Sequence, residues 1–367
     1  MKLPSAPFTF FYRFTILLWC MLGGGLPHIL AQVSVSKDSS LKLSGVVEGY
    51  YVYDFGRPGN KVRDPFIFAH SKHNEISLNM GLVNLSYQKT DVRAELGLMA
   101  GTFPQYNQGG EEPLLQNVWQ AYAGYQLRKN LWLDVGIFPS HIGAESGITA
   151  DNPTLTRSLA AENSPYYLSG ARLSYSSANE KWFLLGVVCN GWQNIQETLE
   201  NSNKAIGFQA QFRPDSRITF NYSNFFSNEL PDSDRRYRFF QDVYAQLDAG
   251  DQVSLLLLFD VGFQENDAQN GLDWWYSPTF VLHYKENDQV GMGLRIEYFS
   301  DPEYVVIPGT IVAAPFEVFS YSLNLDYEPV PQVMFRVEGR YFFGEDPVFI
   351  NATNQNAAIS TSLSVRF

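Results

Sequence analysis

The sequence predicts an all-β fold: a transmembrane antiparallel up-and-down β-barrel of about sixteen strands that follows a cleaved N-terminal signal peptide. Three observations predict it. Apolar and polar residues alternate with period two in segment after segment, short and long connections alternate between those segments, and the longest apolar run lies at the N-terminus. Composition prepares the first of these. Charged residues make up 17% of the chain, below the ~25% of soluble domains, while aromatics reach 15%. The chain is nonetheless slightly hydrophilic on average, which fits fine alternation of residue types better than clustering.

Residues 1–31 read as a separate export leader. Lys2 and Arg13 are the only charges before Lys37, the apolar run Phe14 to Leu22 follows, and Ile29-Leu30-Ala31 offers a small residue at the exit. The alternative is an uncleaved anchor, but the run is short for ~30 Å of hydrocarbon. Cys20 invites lipid attachment, against which Trp19 is bulky where that processing wants a small residue. Cleavage leaves residues 32–367 with 38 acids against 24 bases. That balance argues against nucleic acid, whose phosphates demand basic patches. Only Cys189 survives, so no intrachain disulfide forms, and a lone Cys in an apolar strand reads as a small buried or lipid-facing residue. No later stretch offers eighteen consecutive apolar residues, so no transmembrane helix is expected.

The alternation is explicit. Val290, Met292, Leu294, Ile296 and Tyr298 are interleaved with Gly291, Gly293, Arg295 and Glu297. Ala357, Ile359, Thr361, Leu363, Val365 and Phe367 are interleaved with Ala358, Ser360, Ser362, Ser364 and Arg366. One face is large and apolar, the other small or polar, as a wall between lipid and water requires. The same pattern predicts strands at 41–54, 74–87, 91–102, 116–127, 130–138, 166–176, 180–192, 204–213, 215–226, 235–248, 251–263, 273–285, 288–300, 314–328, 331–343 and 355–367. Tight turns such as Arg128-Lys129 and Ala249-Gly250 alternate with long connections, which puts all turns on one rim and all loops on the other. Aromatics near the long loops (Tyr50, Tyr51, Tyr53; Trp274, Trp275, Tyr276; Tyr298, Phe299; Tyr341, Phe342, Phe343) read as an interfacial girdle, although high strand propensity alone would also place them there.

The stretch Thr156-Arg157-Ser158-Leu159-Ala160-Ala161-Glu162-Asn163-Ser164-Pro165-Tyr166-Tyr167, with the strand Ser169 to Tyr175 after it, resembles the β-barrel porin-2 (OmpL-like) family of Gram-negative outer-membrane proteins. Phe138-Pro139-Ser140-His141-Ile142-Gly143-Ala144-Glu145, Asn190-Gly191-Trp192 and Ser364-Val365-Arg366-Phe367 carry the same resemblance. It implies an outer-membrane channel without defining a solute. Phe367 is the terminal aromatic that barrel-insertion machinery typically reads.

Alternation also assigns an inward set: Lys42, Arg93, Arg172, Arg217, Arg295, Arg336, Arg340 and Arg366 with Glu48, Asp54, Glu95, Asp134, Asp260, Glu297, Asp326 and Glu338. Arg or Lys facing lipid at midplane costs ~2–4 kcal/mol, so these charges must meet water or each other. The expected pore-lining residues are Arg93, Glu95, Arg172, Arg217, Asp260, Arg295, Glu297, Arg336, Glu338 and Arg340. A core of structural salt bridges is the alternative, but sixteen strands enclose more volume than side chains fill. The 139–165 segment, third of the long connections, is expected to fold inward and narrow the pore, rather than pack over the rim. Its Glu145, Asp151, Arg157 and Glu162 would face solutes, opposite a basic wall of Arg295, Arg336 and Arg340.

No catalytic pattern is present. The four His of the mature chain lack metal-ligand spacing, and neither Gly-x-Ser-x-Gly nor His-Glu-x-x-His occurs. No cofactor and no metal are expected. The reading is therefore a porin-like channel for passive diffusion of small hydrophilic solutes, with a non-conducting structural or adhesin-type barrel as the alternative. Expected partners are outer-membrane lipid, the solutes and the barrel-assembly machinery. A homotrimer would follow the habit of sixteen-stranded porins, although nothing in the sequence marks an interface.

Overall fold

The computed structural model describes residues 33–34, 40–198, 200–266, 271–308 and 314–367. The proposed leader, 1–31, lies outside them. The wall consists of β1 (Leu41–Asp54), β2 (Ile76–Lys89), β3 (Val92–Ala100), β4 (Val118–Arg128), β5 (Leu131–Pro139), β6 (Tyr167–Ser176), β7 (Trp182–Cys189) and β8 (Ala205–Asp215), followed by β9 (Ile218–Asn228), β10 (Tyr237–Ala249), β11 (Val253–Glu265), β12 (Leu272–Lys285), β13 (Val290–Asp301), β14 (Phe316–Val330), β15 (Val333–Gly344) and β16 (Gln355–Arg366). All sixteen expected segments are strands, with ends moved by three residues or fewer.

Each strand pairs antiparallel with the next, and β16 returns to β1 from Ala358↔Asp54 to Arg366↔Val46. Closure matters because hydrocarbon offers no partner to an unpaired backbone group, and a closed sheet has no edge. At the seam Phe367 and Gly45 exchange backbone hydrogen bonds of 2.9 and 3.0 Å. Beyond them Val33 and Ser34 pair with Leu43 and Lys42, covering the stretch of β1 that β16 does not reach. Turns and loops segregate to opposite rims. Asn130, in the turn between β5 and its predecessor, holds φ at 64°, a left-handed value that Asn tolerates better than most residues.

Period two sorts the aromatics more finely than a girdle allows. Trp274, Tyr276, Tyr298, Phe319 and Phe343 form an outward run with successive ring centroids 5.1, 5.6, 4.4 and 5.4 Å apart. Their sequence neighbours point the other way. Tyr50, Trp275, Phe299 and Phe342, expected in the girdle, are buried inside the barrel because adjacent residues of a strand must face opposite sides. There Trp275, Phe299 and Phe342 join Phe66, Phe225, Phe240, Phe316 and Phe349 in an apolar cluster with Trp192 packed against it, while Tyr50 packs with Val52 and Ala358. Apolar side chains thus project into the interior of the barrel. Trp192 meets Phe240 and Trp275 edge-on at 5.1 and 6.3 Å.

Carboxylates tie the loops together through backbone amides. Glu162 accepts from the N–H of Phe68 and Ala69, Asp64 from Ile350, Glu111 from Ile195, and Glu229 from Trp192, at 2.7–3.2 Å. Asp301 accepts from Val305, Val306 and Ile307 at 2.8–2.9 Å.

The two adjacent tryptophans of β12 give a direct test of facing. Trp275→Ala empties a packed site and should cost roughly 3–5 kcal/mol. Trp274→Ala removes a ring that faces out of the barrel and should cost far less. Urea unfolding of the two variants in detergent micelles measures the difference, and equal midpoints would contradict the inward cluster.

Candidate functional site: a loop seated inside the barrel

The segment 140–166 leaves β5 and enters the lumen, where it lies along the inner wall. It is anchored from its first turn. His141 Nε2 sits 2.8 Å from the carbonyl oxygen of Asn224 on β9, so Nε2 carries the proton, and the Ser223 hydroxyl donates to the His141 carbonyl at 2.7 Å. The ring lies flush on Gly207 of β8, where a Cβ would come within 2.6 Å of it. Further along, the Gly143 amide donates to Asp242, which stands opposite Asp260 in the β10–β11 ladder.

The second anchorage is a set of guanidinium groups on β13 and β15. Arg336 donates to the carbonyls of Thr149, Asn152 and Thr154 at 2.7–3.1 Å and pairs with Asp326 at 2.7 Å. Arg295 donates to the Thr154 and Thr156 hydroxyls at 3.0 and 2.8 Å and to the Thr156 carbonyl, and it pairs with Glu338 at 2.9 Å. Arg340 donates to the Arg157 carbonyl at 2.9 Å and pairs with Glu297 at 2.5 Å. The loop answers with donors of its own. Thr156 gives both its amide and its hydroxyl to Glu338, each at 2.6 Å, the Leu159 amide meets Glu297 at 2.6 Å, and Thr149 meets Glu48 at 2.5 Å. Ser158 caps the short helix α1 (Leu159–Glu162) through the Ala161 amide and donates to Glu145.

This geometry redistributes the expected site residues. Arg295, Arg336 and Arg340 are not a basic wall across a passage from the loop. They are bonded to it and are 0%, 1% and 4% exposed. Glu297 and Glu338 are enclosed with them, and Asp260 is buried against Asp242. Of the loop's charges, Glu145, Arg157 and Glu162 are buried, while Asp151 is half-exposed and paired with Arg366 at 2.9 Å. The cause is the loop backbone: its carbonyls need donors once inside the barrel, and the arginine forks supply them. Arg217 falls in the turn before β9, exposed at the rim, because the strand begins one residue later. Arg93, Glu95 and Arg172 remain partly exposed on β3 and β6.

Buried charge here is sensitive to its partners. Burial pushes the Glu145 carboxyl up, against the pull of Arg295 and of the Ser158 hydrogen bonds. Burial opposes the charge of Arg157, but Glu162 at 2.6 Å outweighs it, so the guanidinium is held charged more firmly than usual. His141 is lowered to about 4, first by burial and further by Arg172. Beneath the loop, toward the turn rim, lies a polar vestibule of ≈ 910 Å³ lined by Asp151, Asp248, Ser254, His283, Asp326 and Arg366.

The sequence does not single out the anchors Thr149, Thr154, Thr156, Ser223, Asn224 and Asp242 as loop contacts. A signal exists for some of them: Thr-x-Thr directly before Arg157, in a chain whose inward faces carry Arg295, Arg336 and Arg340 on two nearby strands.

Two outcomes follow from the seating. Arg336→Met removes three loop contacts and strands Asp326, a loss of roughly 3–5 kcal/mol for a broken buried pair. Limited proteolysis should then cut within 146–158 while the barrel stays folded. The second concerns pH. The seated His141 refuses a proton that the released loop accepts between pH 6.5 and about 4, so seating is fully stable above 6.5 and weakens as pH falls to about 4. The loss amounts to about 3 kcal/mol. Hydrogen exchange of the loop should show it, and His141→Gln, which keeps a donor for Asn224, should flatten it.

Comparison with known proteins places this architecture. Among curated proteins no sequence matches significantly. The solved outer membrane channel DcaP of Acinetobacter baumannii is similar at TM-score 0.61 and 14% identity, covering 92% of this chain and 100% of that one. The anion-selective porin from Comamonas acidovorans is similar at TM-score 0.60 and 9% identity, over 89% of this chain and 99% of its own. The trimer form of OmpT from Vibrio cholerae is similar at 0.58 and 8%, again over 89% and 99%. At these identities the likeness is one of fold. The family profile described as "Putative beta-barrel porin-2, OmpL-like" matches residues 40–367, the whole wall with its loops, and the chain belongs to that family.

Proposed function

We propose that the protein is an outer-membrane porin that admits small hydrophilic solutes by passive diffusion, and that it is not an enzyme. The observation that carries this reading is the loop 140–166, held inside a closed sixteen-stranded wall by Arg295, Arg336 and Arg340 rather than folded over the rim. A loop in that place leaves less room for solute and makes the remaining passage polar, since the wall opposite it presents Arg93, Glu95 and Arg172. Export by the 1–31 leader, assembly through Phe367 and a trimeric state, as in the OmpT trimer form, complete the proposal.

One observation favours a second reading. An apolar cluster around Trp275 and Phe342 lies inside the barrel, as a non-conducting structural barrel would require. Single-channel recording in planar bilayers separates the two. The porin reading expects discrete conductance steps from the purified protein, and larger steps after deletion of 146–160. A folded barrel that gives no steps, with or without the loop, would support the structural reading instead.

A further inference from the structure

With the loop seated on β13 to β15, the opposite wall carries two basic groups that still reach the lumen. Arg93 of β3 and Arg172 of β6 both bind Asp134 of β5. Arg93 does so through Nε and Nη2 at 2.7 and 2.6 Å, and Arg172 through Nε at 2.9 Å. Arg93 reaches Asp134 by crossing β4 at Gly124, where a Cβ would stand 2.2 Å from the carboxylate and 2.8 Å from the arginine stem. Asp134 is fully buried, whereas the two arginine side chains are 23% and 15% exposed.

Aromatic rings fix both forks. Arg93 stacks on Trp132 at 4.3 Å, and Arg172 lies against Phe138 and Tyr122 at 4.5 and 4.8 Å. Stacking uses the guanidinium faces and leaves their edges available for hydrogen bonds. Among the described residues, Nη1 of Arg93 and both Nη groups of Arg172 donate to nothing. The neighbouring acid, Glu95, is engaged by Asn84 and Ser86 of β2 and by Gln120 of β4, all through one oxygen. Two cations therefore share one buried carboxylate, with unused planar donors beside three aromatic rings.

We propose that Arg93 and Arg172 form a binding site for a small organic monocarboxylate on the open wall of the lumen. Arg93 and Arg172 stand with Asp134 and Glu95, two basic and two acidic side chains, so the unused guanidinium donors rather than a net charge recognise the anion. Guanidinium edges match the planar carboxylate, and Trp132, Tyr122 and Phe138 offer contact to an organic body. The site lies just below the point where the loop leaves β5, so solute bound there stands at the entrance to the narrowed passage. The proposal rests on the channel reading for access from water, but binding itself can be measured without conduction.

Benzoate is the probe, with benzamide as its neutral isostere and chloride as the inorganic anion. Calorimetry on the full barrel in detergent micelles should show benzoate binding at least tenfold tighter than benzamide. In planar bilayers benzoate should lower the single-channel current more than equimolar chloride does. Arg172→Gln, which leaves Arg93 on Asp134, should weaken benzoate at least tenfold. Arg172→Lys should keep the anion preference while losing several-fold in benzoate affinity, because the charge remains and the planar fork does not. Conductance with benzoate no better bound than benzamide overturns the carboxylate site and leaves the channel reading standing. Benzoate binding without any conductance overturns the channel reading and leaves the site. Equal benzoate affinity in wild type and in both Arg172 variants, with heat-modifiable barrels, overturns the assignment to these residues.

Discussion

The constraint on which the rest depends is that a peptide segment brought inside a barrel still needs partners for its backbone. Segment 140–166 has few elements of regular structure to satisfy itself. Its carbonyls at Thr149, Asn152, Thr154, Thr156 and Arg157 find guanidinium groups on the wall. Those groups in turn need anions, which explains Asp326, Glu297 and Glu338 on the inward face of β13 to β15. Charge pairs that would be poor stabilisers on a surface become positional devices once their arginines also hold the loop. Removing one partner would leave an uncompensated charge as well as a lost contact.

That arrangement makes the barrel asymmetric in cross-section. The sector from β13 through β16 to the second half of β1 is lined largely with small or loop-bound residues, Ser320, Ser322, Ser360, Ser362 and Ser364 among them, and its inward face is mostly buried. The sector from β2 to β8 keeps larger polar side chains partly open. Loop, wall and vestibule are therefore one construction: what the loop covers decides which part of the lumen water can reach.

The wall was legible in the sequence because strand facing is local. Met292 and Ile296 point out and Arg295 and Glu297 point in whatever happens elsewhere in the chain, and closure follows from an even number of such strands. Inward direction alone does not say what a side chain will meet. Arg93 and Arg340 have the same pattern around them, yet one remains partly in the lumen and the other is sealed beneath Arg157. The difference comes from a loop that departs from β5 and lands many strands away, a long-range event with no local periodicity. The aromatics failed for the opposite reason. Trp274 and Trp275 were read together as a rim feature when the same two-residue alternation already assigned them to different sides.

The carboxylates that tie the loops together bear on a property visible before any folding. Asp64, Glu111, Glu229 and Asp301 take hydrogen bonds from peptide amides. A peptide amide is a good donor but carries no charge, so each such contact satisfies the oxygen without neutralising it. Arginine-paired acids cancel in the composition, and amide-paired acids accumulate. The low isoelectric point of this chain is in part a record of how its loops are fastened.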